Sequence, residues 1–250
     1  MVLQVTDAIV LHAFDYLETS RILRLVTREG GVQSVIARGA RRSVKRFGSA
    51  LDLFVSGIAE LHIRQGRDLQ QLSAFEVTNA RPALSVDLDC FTSASMLCEL
   101  ALRCSAGEDH GDLFVALSAG LDAVATHTGT AARVQGLAVA WRVIATLGFA
   151  PSLTGCSSCQ QPIAAGHAAM FSHVLGGVTC GVCEGQVRGG RRLPVDARLT
   201  LLAWIANEAV DLPSGASQRA HARLLREFVQ HHVAEGVDLK AFPVWEARFA

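Results

Sequence analysis

Two different periods run along this chain, and the change between them falls near Arg81-Pro82. Before it, apolar and polar residues alternate. Ala59, Leu61 and Ile63 are interleaved with Glu60, His62 and Arg64, so one face of an extended segment is apolar and the other polar. The pattern predicts strands at about 8–16, 21–27, 32–38, 51–64 with a kink at Gly57, and 69–78. Gly30-Gly31 and Gln65-Gly66 supply the turn chemistry of tight hairpins. Five short strands with no helix between them predict a small closed or partly open barrel, for which the OB-fold leads and an SH3-like barrel follows closely. After Pro82 the period moves to 3.6. Leu88, Phe91, Ala94, Leu97, Ala101 and Cys104 share one helix face; Leu113, Leu117, Leu121 and Val124 share a second; Val134, Leu137, Trp141 and Ala145 share a third. Helices resume at about 197–212 and 217–235, with Gly148 and Pro151 stopping the third and Pro213-Ser214-Gly215 separating the last two. The expected fold class is therefore α+β multidomain: an N-terminal OB-fold-like β-barrel over residues 1–80, then an all-α helical domain over residues 81–250.

The helical pattern is interrupted at about 155–188 by a Gly-rich insert that carries Cys156, Cys159, Cys180 and Cys183. Two CxxC pairs twenty residues apart have the spacing of a four-thiolate structural zinc site. Two thiolates on one tight turn reach one ion, and a second such turn completes a tetrahedron with no open position, so the site holds a fold together and catalyses nothing. Gly155, Ser157, Ser158 and Gly181 beside the thiols, and Gly176-Gly177 before the second pair, suit knuckles borne on hairpins. Two disulfides or a redox pair are the alternatives; redox CxxC motifs usually come singly beside a βαβ unit. Cys90, Cys98 and Cys104 bring the total to seven, an odd number that fits a reducing compartment, and their place in an apolar helical stripe makes them core residues. The polar opening Met1-Val2-Leu3-Gln4-Val5-Thr6-Asp7 is no signal peptide, and no run reaches membrane-spanning length, so a soluble cytoplasmic protein is expected.

Net charge is zero, which at first argues against a polyanionic partner, but the cations cluster. Arg38, Arg41, Arg42, Lys45 and Arg46 fall within nine residues that hold no acid, on a Gly-flanked loop between the third and fourth predicted strands. Such a loop suits phosphate contacts, because each phosphate neutralised releases condensed counterions. Phe47 beside it would add a stacking platform, whereas Phe14 and Tyr16 are expected in the barrel core or at its rim. Arg21, Arg24, Arg28, Arg64 and Arg67 are available to extend the patch. The chain has no phosphate-binding P-loop, zinc-protease helix, deaminase signature or nucleophile elbow, so nothing in it proposes an enzyme. His231-His232 fall late in a helix and are expected to face solvent.

The combination resembles the RecO family of bacterial recombination and repair mediators. The resemblance is carried by "DAIVLHAFDYLETSRILRLVTREGGVQSVIARGARR", "GSALDLFVSGIAELHIRQGRDL", "CSSCQQPI" followed by "MFSHVLGGVTCGVC", and the terminal "RLLREFVQHHVAEGVDLKAF". It implies an N-terminal OB-fold and a helical C-terminal domain, with one structural Zn2+ per chain on Cys156, Cys159, Cys180 and Cys183 and DNA contacts from the cations after "IARGARR". It further implies non-enzymatic action on single- and double-stranded DNA, annealing of strands coated with single-strand-binding protein, and loading of the recombinase RecA with RecR. The tail of single-strand-binding protein would be gripped on the helical domain, with Arg133, Arg142, Arg219 and Arg223 as candidates. No membrane or small-molecule partner is expected. A zinc-stabilised protein-interaction scaffold that does not touch DNA is the rival reading.

Overall fold

The computed structural model describes residues 2–42, 47, 51–104, 111–186, 189–210, 212, 215–233 and 237–249. Packing divides the chain into two compact units, residues 1–133 and 134–250.

The first unit opens with five strands, β1 (Val2–Tyr16), β2 (Ser20–Thr27), β3 (Gly31–Ala37), β4 (Ser56–Ile63) and β5 (Leu69–Asn79), which close into a barrel in the order β1-β2-β3-β5-β4. All neighbours are antiparallel except β3 and β5, whose parallel pairing from Ser34↔Leu69 to Ala37↔Leu72 closes the ring. Alternation fills it: Ala8, Val10, Leu23, Leu25, Val35, Ala37, Ala59, Leu61, Leu72 and Phe75 point inward and form one buried cluster. The fold is an OB-fold-like barrel followed by helices, an α+β architecture.

The barrel region differs from the sequence reading at three places. β1 begins six residues earlier than the alternation suggests, because Val2 to Ile9 pair with β4 from Ile63 to Ser56. Predicted strand four loses its first five residues to a turn in which Phe54 has φ +71° and donates its N–H to the Val10 carbonyl at 2.9 Å. Phe47 is not a surface platform: it is 1% exposed and belongs to the barrel core, because a large ring among few aromatics is worth more buried than wet.

Still within the first unit, α1 (Ala83–Val86), α2 (Leu88–Cys104) and α3 (Gly111–Ala125) pack beside the barrel. Phe54 meets Phe91 edge to face at 5.5 Å, and the Arg28 guanidinium lies 4.7 Å over the Phe114 ring. Cys90 and Cys98 are buried as expected; the Cys104 side chain lies outside the described residues. Arg81 fastens the helices to the barrel. Its guanidinium is buried and donates to the Phe54 carbonyl and Ser56 Oγ, both at 2.7 Å, to Ser118 Oγ at 3.0 Å and to Asp122 Oδ1 at 2.6 Å.

The helix α4 (Gly129–Thr146) leads into the second unit, which contains a small sheet β7-β6-β8, from β6 (Ala169–Ser172), β7 (Gly177–Thr179) and β8 (Arg191–Leu193), and three helices, α5 (Val195–Ile205), α6 (Gly215–His232) and α7 (Ala241–Glu246). Trp141, Phe171 and Phe228 stack at 5.3 and 6.1 Å in its core. α5 stops seven residues short of its expected end, where Asn207 takes φ +64°, the left-handed conformation that ends helices. His232 is not fully in solvent: it is half-buried, with Nε2 2.5 Å from the His173 carbonyl and its ring against Phe228. No helix among the described residues is long and apolar enough to cross a membrane.

Candidate metal centre and nucleic-acid interface

The four cysteines come together from two turns. In the first, Gln160 donates its N–H to the Cys156 carbonyl at 2.9 Å with its own φ at +62°, and Cys156 donates to the Gln161 carbonyl at 2.9 Å. In the second, Cys183 and Glu184 both donate to the Cys180 carbonyl, at 3.0 and 2.9 Å. The turns are joined where Ser157 N–H meets the Val178 carbonyl at 2.8 Å and Cys180 N–H points at Cys156 Sγ at 3.3 Å. Gly177 is required at this junction, since a Cβ there would lie 2.4 Å from the Ser152 carbonyl oxygen.

All four Sγ atoms lie within 4.8 Å of one another, and Cys159 and Cys180 are 3.8 Å apart. A tetrahedron with metal–sulfur bonds of about 2.3 Å has edges of about 3.8 Å, so the cage is the right size for a thiophilic ion and could hold one. The same separation is far beyond a disulfide bond, and none of the four is in a disulfide. Burial works to raise the Cys156 thiol, but backbone N–H groups of Cys159, Cys180 and Ser158 outweigh it and pull the group down to about 6. Cys183 is pushed up to about 12 by the neighbouring thiols of Cys159 and Cys180. The clustered thiols thus titrate together, and a cation bound among them would displace the protons that remain.

The barrel carries the second candidate site. The turn 38–42 follows β3 and is held down by Arg41 N–H on the Thr19 carbonyl at 3.1 Å and Arg42 N–H on Gly39 at 3.0 Å. Arg38, Arg41 and Arg42 are exposed there, while Lys45 and Arg46 lie outside the described residues. Arg41 faces Asp15 at 3.7 Å, so part of its charge is answered locally. Two arginines from the sequence reading are structural: Arg21 binds Asp15, Asp52 and the Leu51 carbonyl, and Arg28 binds Asp7 at 2.8 Å. Arg24, Arg38, Arg42, Arg64 and Arg67 are exposed and have no carboxylate partner among the described residues.

Arg64 and Arg67 join Arg38 through a clamp that the sequence does not advertise. Gln70 accepts from Arg64 N–H at 2.7 Å and donates to the Arg64 and Arg67 carbonyls at 3.1 and 2.6 Å, fixing the β4–β5 turn around Gly66. The result is a cavity of about 910 Å³ at this end of the barrel, walled by Tyr16, Ile36, Arg38, Arg64, Arg67 and Gln71, with Asp68 its one acid. Of the other candidates, Arg219 and Arg223 share a cavity of about 410 Å³ with Arg191 and Glu246. Arg142 is hydrogen-bonded to Asn207, and Arg133 pairs with Asp89 in the first unit.

The family model described as Recombination protein O N terminal matches residues 1–81, and that described as Recombination protein O C terminal matches residues 85–240. This chain belongs to the RecO family. Similar proteins named DNA repair protein RecO include those of Anaeromyxobacter sp. strain K, 32% identical over 94% of this chain and 93% of the relative, and Nocardioides sp., 28% identical over 94% and 97%. That of Pelotomaculum thermopropionicum is 31% identical over 97% of this chain and 93% of its own length. The two family matches meet just after the last barrel strand, whereas compact packing divides the chain at 133/134, because α1 to α3 fold against the barrel.

Proposed function

We propose that this RecO-family chain is a non-enzymatic DNA-binding mediator of recombinational repair that acts in the cytoplasm. On this reading residues 1–80 form the nucleic-acid-binding domain and residues 81–250 the helical domain. The reading is carried by the exposed guanidinium groups at one end of the barrel, which have no carboxylate partners among the described residues. Guanidinium groups held this way exchange water and mobile counterions for phosphates at little desolvation cost. Arg38 and Arg42, with Lys45 and Arg46, are the proposed phosphate contacts, extended by Arg64 and Arg67; Arg41 would join them by exchanging Asp15, 3.7 Å away, for a phosphate.

Cys156, Cys159, Cys180 and Cys183 would hold one Zn2+, which ties the two turns together and polarises nothing, since all four positions are taken by thiolates. The barrel holds one strand by its backbone. The second unit recruits a partner strand coated with single-strand-binding protein, whose acidic tail would meet Arg219 in the cavity and compete with Glu227 for Arg191 and Arg223, which that carboxylate holds at 2.7 and 2.9 Å. Tethering both strands raises their effective concentration, and annealing follows from base pairing. Loading of the recombinase would proceed with RecR. Fluorescence anisotropy with labelled single-stranded DNA at two salt concentrations tests the reading: binding that weakens steeply with salt is expected, and no binding even at low salt would leave the scaffold alternative in its place.

A further inference from the structure

The outward face of the barrel is not uniformly polar. Cross-strand partners share a face, so the register sets out its rows. His12, Arg24, Ser34 and Leu69 form one row across β1, β2, β3 and β5, and Phe14, Ile22, Ile36 and Gln71 form the next. Tyr16 lies two residues beyond Phe14 on the same face. Phe14 and Tyr16 are 45% and 43% exposed, and His12 and Phe14 have ring centroids 5.8 Å apart. Three aromatic rings at alternate positions of one strand therefore face solvent, with Arg24 among them and Arg38, Arg64 and Arg67 at the rim.

Resting on the nucleic-acid reading above, we infer that Phe14 and Tyr16, assisted by His12, form a stacking platform for the bases of single-stranded DNA. Exposed apolar area of this kind marks an interaction surface. Its rim of arginines, which have no carboxylate partner among the described residues, selects a polyanion with flat apolar groups over an apolar protein face. The His12 and Phe14 rings lie 5.8 Å apart and are tilted by 58°, too close for a base between them, so bases stack on the exposed ring faces while the phosphates reach the arginines. A duplex, whose bases are already stacked on each other, gains nothing from the platform. The barrel thus prefers open strands through its bases and accepts duplex through phosphates alone.

The test measures anisotropy of the full chain with three labelled probes of about 20 nucleotides, longer than the ~4–16 spanned by one such fold. They are oligothymidylate, an abasic strand of the same length, and a duplex. The unaltered protein should bind oligothymidylate about 30-fold more tightly than the abasic strand, which is roughly 1 kcal/mol for each of two rings. F14A/Y16A should remove that difference and leave abasic binding, duplex binding and the salt slope where they were. F14L/Y16L, which keeps apolar bulk on the sheet, should do the same and guards against misfolding, checked by circular dichroism. If the unaltered protein binds both single strands alike, or the leucine variant binds oligothymidylate as before, the platform is refuted while salt-sensitive binding keeps the DNA reading. Absence of binding to every probe at low salt overturns both.

Discussion

Arg81 is the residue whose removal should be felt most in the first unit. Replacing it with alanine strands the Phe54 carbonyl and Ser56 Oγ, two buried acceptors that the guanidinium now serves at 2.7 Å. Each orphaned buried group costs about 1–3 kcal/mol. Asp122 adds little, because its side chain is 48% exposed and turns to water. The sum, about 2–6 kcal/mol, brackets the roughly 3–5 kcal/mol expected when one partner of a buried charged pair is lost. Arg81→Lys keeps the charge but offers one donor centre in place of three, so it should cost about half as much, and Asp122→Ala about 1 kcal/mol or less. Hydrogen exchange of β4 and β5 amides and far-ultraviolet circular dichroism in urea would follow the first unit. Fluorescence of Trp141, Trp204 and Trp245, all in the second unit, gives an internal control. A loss under 1 kcal/mol for Arg81→Ala, or one no larger than that of Asp122→Ala, would refute this account of the network.

Metal analysis should find one zinc per chain. Chelation should lower the urea midpoint read by tryptophan fluorescence, and so should acidification that returns protons to the thiolates; metal-free protein with an unchanged midpoint would contradict the cage. His221 is buried against Trp204 with neither ring nitrogen hydrogen-bonded among the described residues, and burial lowers its pKa to about 4. Since the unfolded chain takes up that proton near pH 6.5 and the folded one does not, stability is complete above that pH. About 3 kcal/mol should be lost as the pH falls from 6.5 to 4. His221→Phe should flatten this part of the profile in urea titrations at several pH values. Replacing Arg38, Arg64 and Arg67 together with alanine should reduce the logarithmic salt slope of single-strand binding by about 2, at roughly 0.7 per phosphate, and an unchanged slope would exclude the cavity.

What could be read in the sequence was local. The barrel strands alternate because each has one wet and one dry face, and the cysteine cage is built from turns whose spacing is written in consecutive residues. Phe14 and Tyr16 were harder, since a register shift between Val10 and His12 changes the parity of β1: Leu11 is buried, and the aromatic rings that follow turn outward. Phe47 stands alone among polar neighbours and has no period from which burial could be inferred. The Arg81 network spans up to 41 residues, and the strands of β6–β8 are only three or four residues long. Both depend on who meets whom in space. The Gln70 clamp is shorter in sequence but is made by a side chain on backbone groups, which no hydropathy pattern records.

The parallel seam between β3 and β5 has a consequence for biosynthesis. An emerging chain can pair β1 with β2 and β2 with β3 as soon as each hairpin leaves the ribosome, yet the ring stays open until Leu72 arrives to meet Ala37. During that interval β3 presents an unsatisfied edge to other nascent chains, the condition under which strands join the wrong neighbour. Slow translation just before the fifth strand would therefore favour aggregation, and rapid passage through it would favour closure.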